Sequence, residues 1–178
     1  MITVQQAKQL IAEATPTYSP ITVSLLDALG YVVAKDIIAP LDIPAFAQSS
    51  MDGYAITFEE HQHTLQITTV IQAGQTEMSA IASGQAARIF TGAPLPVGAD
   101  TVIMQEKVTV TDSNLLSCHD DQLTQGSNVR PIGSEIQKGM TALQAGEVLT
   151  PAAIGFLAGI GITTVEVFPK PSVALILT

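Results

Sequence analysis

The chain has 178 residues, enough for one large domain or two small ones. Hydrophobic residues make up 47%, charged residues 13% and aromatics 4%, with no Trp, so the chain is globular with an aliphatic core. Sixteen acids against seven bases give a net charge of −9, a field that repels phosphate backbones and argues against nucleic-acid binding.

Residues 3–14 read as an amphipathic helix, with Val4, Ala7, Ile11 and Ala14 on one face and Leu10 beside them. Thr3 and Gln6 fit a capping box. A short second helix is expected over 23–29, stopped by Gly30, followed by a strand from Tyr31 to Ala39. From about 50 to 136 short strands alternate with turn residues and no helical period emerges. The candidates are 54–58, 65–72, 85–90, 101–110 and 114–118, with Asp112-Ser113-Asn114 as a hairpin turn. Helix returns at 150, where Thr150 is a good N-cap and Pro151 sits at the first helical position. A strand over 163–168 and the linker Pro169-Lys170-Pro171 follow.

The expected fold class is α+β and β-rich. A discontinuous α+β domain comes from 1–45 and 137–170, and an irregular all-β, barrel-like domain over 46–136 is inserted in it. Residues 171–178 read as a linker and the buried first strand of a further α/β domain, the alternative being a strand that completes the sheet already present. The single cysteine, Cys118, excludes an intrachain disulfide and a cysteine-rich metal site. No apolar run reaches membrane-spanning length, and Met1–Gln5 does not open a signal peptide, so no membrane partner is expected and the cytoplasm is the expected location.

Four patches carry candidate chemistry. In the first, Pro44 to Ile56, small polar residues deliver one carboxylate, Asp52, onto an Asp-Gly step; this is turn chemistry, and it is also a place to meet a ligand. In the second, Arg88 to Asp100, a strand runs into a loop stiffened by two prolines. There the Thr91 hydroxyl and the Gly92 N–H could take an oxyanion, although no Lys-Ser/Thr pair or helix follows as in a phosphate-binding loop. Gln105 and Glu106 close the next strand. The third, Asn128 to Ile136, holds Arg130, whose planar fork suits a phosphate or carboxylate and equally an ion pair with Glu135. The fourth, His61-Gln62-His63, alternates histidines as a metal site can, but beside Glu59 and Glu60 it reads as a solvated loop.

Taken together, Ser50-Met51-Asp52-Gly53-Tyr54-Ala55, Arg88-Ile89-Phe90-Thr91-Gly92-Ala93-Pro94-Leu95-Pro96 and Asn128-Val129-Arg130 occur in the order and spacing of one family. The chain resembles the N-terminal region of molybdopterin molybdenumtransferases, the MoeA and gephyrin E-domain family. The resemblance implies a homodimeric transferase that inserts molybdate into adenylylated molybdopterin with Mg²⁺ and releases AMP, giving molybdenum cofactor. It also implies a cleft between a later pterin-binding α/β domain and the partner subunit's β domain. Asp52 and Thr91 match positions lining that cleft from the β side; they are the candidate catalytic residues, and a carboxylate such as Asp52 can hold Mg²⁺ directly or through water. Arg130 matches a basic position of the same region, and the candidate substrate-binding groups are the Gly92 N–H, which with Thr91 can orient an oxyanion, and Arg130, which can neutralise it. The family's Thr-Gly-Asp/Asn-Glu-Leu turn would begin at Thr178, which implies a fragment. The alternative function is a non-catalytic structural or dimerisation module of the same family.

Overall fold

The computed structural model describes residues 2–16, 18–75 and 79–175. The chain divides into two compact units, one of residues 1–40 with 139–178 and the other of residues 41–138.

The first unit opens with helix α1 (Val4–Ala14). The Thr3 side chain accepts from the Gln6 N–H at 3.2 Å, and the Gln6 side chain accepts from the Thr3 N–H at 2.9 Å. No residue of α1 is buried; Val4 and Ile11 are 74% and 67% exposed. The helix expected over 23–29 is replaced by strand β1 (Ile21–Ser24) and a single 3-10 turn, Leu25–Asp27. Ile21, Thr22 and Val23 are all β-branched and favour a strand, and seven residues are too few to nucleate a helix. The strand expected over 31–39 breaks into β2 (Val32–Val33) and β3 (Ile37–Ile38). Between them Lys35 pairs with Glu166, and the Asp36 carboxylate accepts from the Ala145 N–H at 2.8 Å.

The second unit runs β4 (Gln48–Ser49), β5 (Gly53–Ile56), β6 (Leu65–Ile71), β7 (Gln85–Ile89), β8 (Thr101–Met104), β9 (Val108–Val110), β10 (Leu115–Cys118) and β11 (Val129–Arg130). The strand expected over 101–110 is cut in two by a 3-10 turn at Gln105–Lys107. Six of these strands form one sheet in the order β8-β5-β7-β6-β10-β9, antiparallel except for the parallel pair β6/β7. Laid flat, six strands set their outermost members about 24 Å apart. The chain from Met104 to Val108 reaches at most about 14 Å, so the sheet must curl. Each of its faces carries a buried cluster. Ala55, Ile71, Ala87, Ile89 and Val102 pack on one, and Ile56, Leu65, Ala86, Ile103 and Leu116 on the other. Alternation along β5, β7 and β8 feeds both cores from consecutive residues.

The chain then returns to the first unit. β12 (Thr141–Leu143) pairs with β3. Helix α2 (Pro151–Gly159) starts at Thr150, whose hydroxyl accepts from the Ala153 N–H at 3.2 Å. β13 (Thr164–Phe168) lies between β1 and β2, antiparallel to both, and buries Val165 and Val167. The expected final strand has no counterpart over 171–175; its last residues, 176–178, lie outside the described residues. Among the described residues, no helix is long and apolar enough to cross a membrane.

Candidate functional site

The short strand β4 organises the site. On one side its backbone bonds the 91–95 loop: Ser49 N–H donates to Ala93 O at 3.0 Å, Gly92 N–H to Ser49 O at 2.8 Å and Leu95 N–H to Ala47 O at 2.8 Å. On the other side it pairs with β11, and Ser50 N–H donates to Asn128 O at 3.0 Å. The loops carrying Asp52 and Thr91 and the strand carrying Arg130 are thus bonded to one short segment centred on β4. The buried Ser49 hydroxyl donates to Met51 O at 2.6 Å, which tightens the turn that presents Asp52.

Asp52 and Thr91 meet directly. Asp52 Oδ1 accepts from the Thr91 N–H at 2.8 Å and from the Thr91 hydroxyl at 2.9 Å. The Thr91 N–H, then its hydroxyl, hold the Asp52 carboxyl below the usual range; slight desolvation opposes this and the nearby Arg88 charge adds to it. Gly53 serves close approach rather than a positive φ. A Cβ there would stand 2.0 Å from Ile103 O on β8. The positive φ belongs to Gly92, at +80°, where the chain leaves Thr91.

Two expectations change. The Gly92 N–H does not face outward for an oxyanion, because it is spent on Ser49 O. The Thr91 hydroxyl proton is likewise committed to Asp52. The pair therefore offers acceptor oxygens, Asp52 Oδ2 and the remaining lone pair of Thr91 Oγ1, which suit a hard cation better than an anion. Arg130 bonds Glu135 at 3.2 Å, each side chain about half exposed (46% and 54%), and makes no hydrogen bond to Asp52 or Thr91. The His61 ring stacks on Phe58 at 4.7 Å and its Nδ1 donates to Phe58 O at 2.7 Å. Among the described residues, no three His, Cys, Asp or Glu side chains stand close enough to hold a metal between them.

One charged residue beside Asp52 was given no role by the sequence. Arg88 donates to Gly53 O at 2.8 Å and to Gln105 Oε1 at 2.6 Å, and its guanidinium lies 5.0 Å from the Tyr54 ring centre and 4.7 Å from that of Phe90. Its signal was an arginine in a strand of alanines and isoleucine, with an aromatic two residues on. Its second aromatic, Tyr54, becomes a neighbour only through the β5/β7 register.

The sequence profile of the MoeA N-terminal region (domain I and II) matches residues 2–161. Over its full length the chain is 35% identical to molybdopterin molybdenumtransferase 2 of Mycobacterium tuberculosis and 33% identical to the molybdopterin molybdenumtransferase of Haemophilus influenzae. It spans 45% of the length of each, less than half of the curated relatives it matches. A solved structure of a molybdopterin biosynthesis MoeA protein from Pyrococcus horikoshii superposes with a TM-score of 0.84 at 30% identity, over 92% of this chain and 45% of that one.

Proposed function

Because the chain belongs to the family of the MoeA N-terminal region, we propose that it forms one wall of the site where a longer molybdopterin molybdenumtransferase inserts molybdate into adenylylated molybdopterin and releases AMP. The names of its relatives support a role in molybdenum cofactor biosynthesis for the family. In this reading the opposite wall is the pterin-binding domain of the partner subunit in a homodimer, and the protein works in the cytoplasm.

The observation that carries the reading is the Asp52–Thr91 pair. Both substrates are anions, and the chain's own charge of −9 opposes them. A cation is therefore needed where they meet. Asp52 Oδ2 and Thr91 Oγ1 are the oxygens that would hold Mg²⁺, an ion usually bound by one or two carboxylates with substrate phosphates and water. When bound, Mg²⁺ supplies the positive charge that lets the anions approach and eases departure of AMP. Thr91 fixes the Asp52 carboxylate through two bonds and keeps it ionised. Arg130 is the chain's own cation for the substrate. Its exposed pair with Glu135 is worth under about 1 kcal/mol, so an arriving anion can displace the glutamate.

The test is a chimaera in which this chain replaces the matching region of the Haemophilus influenzae relative. Asp52→Ala and Thr91→Ala should each lower molybdenum insertion by about 10- to 100-fold while leaving the circular dichroism spectrum unchanged. Wild-type turnover in both variants sinks the proposal.

A further inference from the structure

Arg88 is tied into the Asp52 turn more tightly than a sheet staple requires. It pairs across the β5/β7 ladder with Tyr54, and Phe90 follows two residues on, so both rings flank the guanidinium. Its two terminal nitrogens point to different partners. One donates to Gly53 O, the carbonyl directly after Asp52, and the other to the side chain of Gln105. Gln105 returns to the same turn, since its N–H donates to Asp52 O at 3.1 Å. Its side-chain amide also donates to Glu106 Oε1 at 3.1 Å. The two carbonyls that follow the Asp52 Cα, Asp52 O and Gly53 O, are therefore held by the glutamine and by the guanidinium that bonds it. Through Gln105 the hydrogen bonds also bring Glu106 to this cluster.

We propose that Arg88 is a positioning residue: clamped between Tyr54 and Phe90, it fixes the Gly53 carbonyl and Gln105 and so holds Asp52 in the orientation in which Thr91 bonds it. That this orientation matters for turnover rests on the reading of Asp52 and Thr91 given above. The fork is essential to the device. A lysine keeps the charge and the stem between the rings but cannot reach two partners in fixed directions.

The experiment uses Arg88→Met and Arg88→Lys. In the chain itself, amide hydrogen exchange is measured at Thr91, which donates to Asp52, against Val102, whose buried amide donates to Ser127 O at 3.0 Å. The Val102 reference removes any general loss of stability. Arg88→Met should speed Thr91 exchange by about tenfold relative to Val102, and Arg88→Lys should not restore it. In the chimaera both variants should lower kcat by about tenfold or more with little change in KM, as expected of a group misplaced rather than lost from binding. Unchanged relative exchange at Thr91 in Arg88→Met overturns the proposal, and so does full recovery in Arg88→Lys. Should Arg88→Met fail to fold, the lysine variant decides alone: wild-type exchange and kcat overturn the clamp, and loss of both upholds it. Faster Thr91 exchange with wild-type turnover upholds the positioning and sinks the reading of Asp52 as a site residue.

Discussion

Asp100 shows how much one carboxylate can organise in this chain. Its Oδ1 accepts from the Phe58 N–H at 2.7 Å and the Thr101 hydroxyl at 3.0 Å, and its Oδ2 from the Gln125 side chain at 2.7 Å. Partial burial pushes its carboxyl up, but Gln125, the Phe58 N–H and Thr101 together bring it below the ordinary range. A carboxyl depressed in the folded state contributes stability above its unfolded pKa, about 3.9, and loses it as pH falls through the folded value. Asp100→Asn should cost about 1–3 kcal/mol at pH 7. It should also flatten the decline of the urea midpoint from pH 4 downward. An acid limb as steep as wild type would show that these bonds carry no linked stability. At this scale the sequence was partly legible. Asp52 and Thr91 stood out by family spacing, and the structure puts them in contact. The fate of the Gly92 N–H and the Arg88 clamp were not legible, because both depend on which strands become neighbours.

Among the elements, β5 is the most constrained. Gly53 opens it with no room for a side chain against β8, and Ala55 and Ile56 are buried in opposite cores. Gly53→Ala should therefore push β5 off β8 and cost about 1–3 kcal/mol, read from urea denaturation with an unchanged m-value. A loss within error of zero would mean that the β5–β8 contact is looser than the geometry indicates. Both helix starts were readable, since capping is local: Thr3 with Gln6, and Thr150 with Pro151. The breaks in the expected strands were not. Lys35 and Asp36 leave the strand to bond Glu166 and Ala145, far along the chain. The turn at Gln105–Lys107 likewise answers to sheet closure rather than to local propensity.

For the whole molecule, the β-rich α+β class followed from composition and from the contrast between the ends and the middle of the chain. The topology did not. The parallel β6/β7 pair and the placing of consecutive β8 and β9 at opposite edges of one sheet are long-range choices that no short window encodes.

That placing bears on solubility. A β-rich chain with 47% hydrophobic and only 13% charged residues is prone to add further strands at any open edge. In the six-stranded sheet the two edge strands are drawn towards each other by the residues that join them, so this sheet offers a second molecule no long flat edge to template on. Inserting Gly-Ser-Gly-Ser between Gln105 and Glu106 should release that restraint and bring on light scattering at lower temperature than the same insertion between Asp112 and Ser113. Equal scattering from the two would show that the seam gives no such protection. The residues that close the seam include Gln105, which also bonds the Asp52 backbone. Defence against self-association and the shape of the candidate site thus depend on the same short stretch of chain.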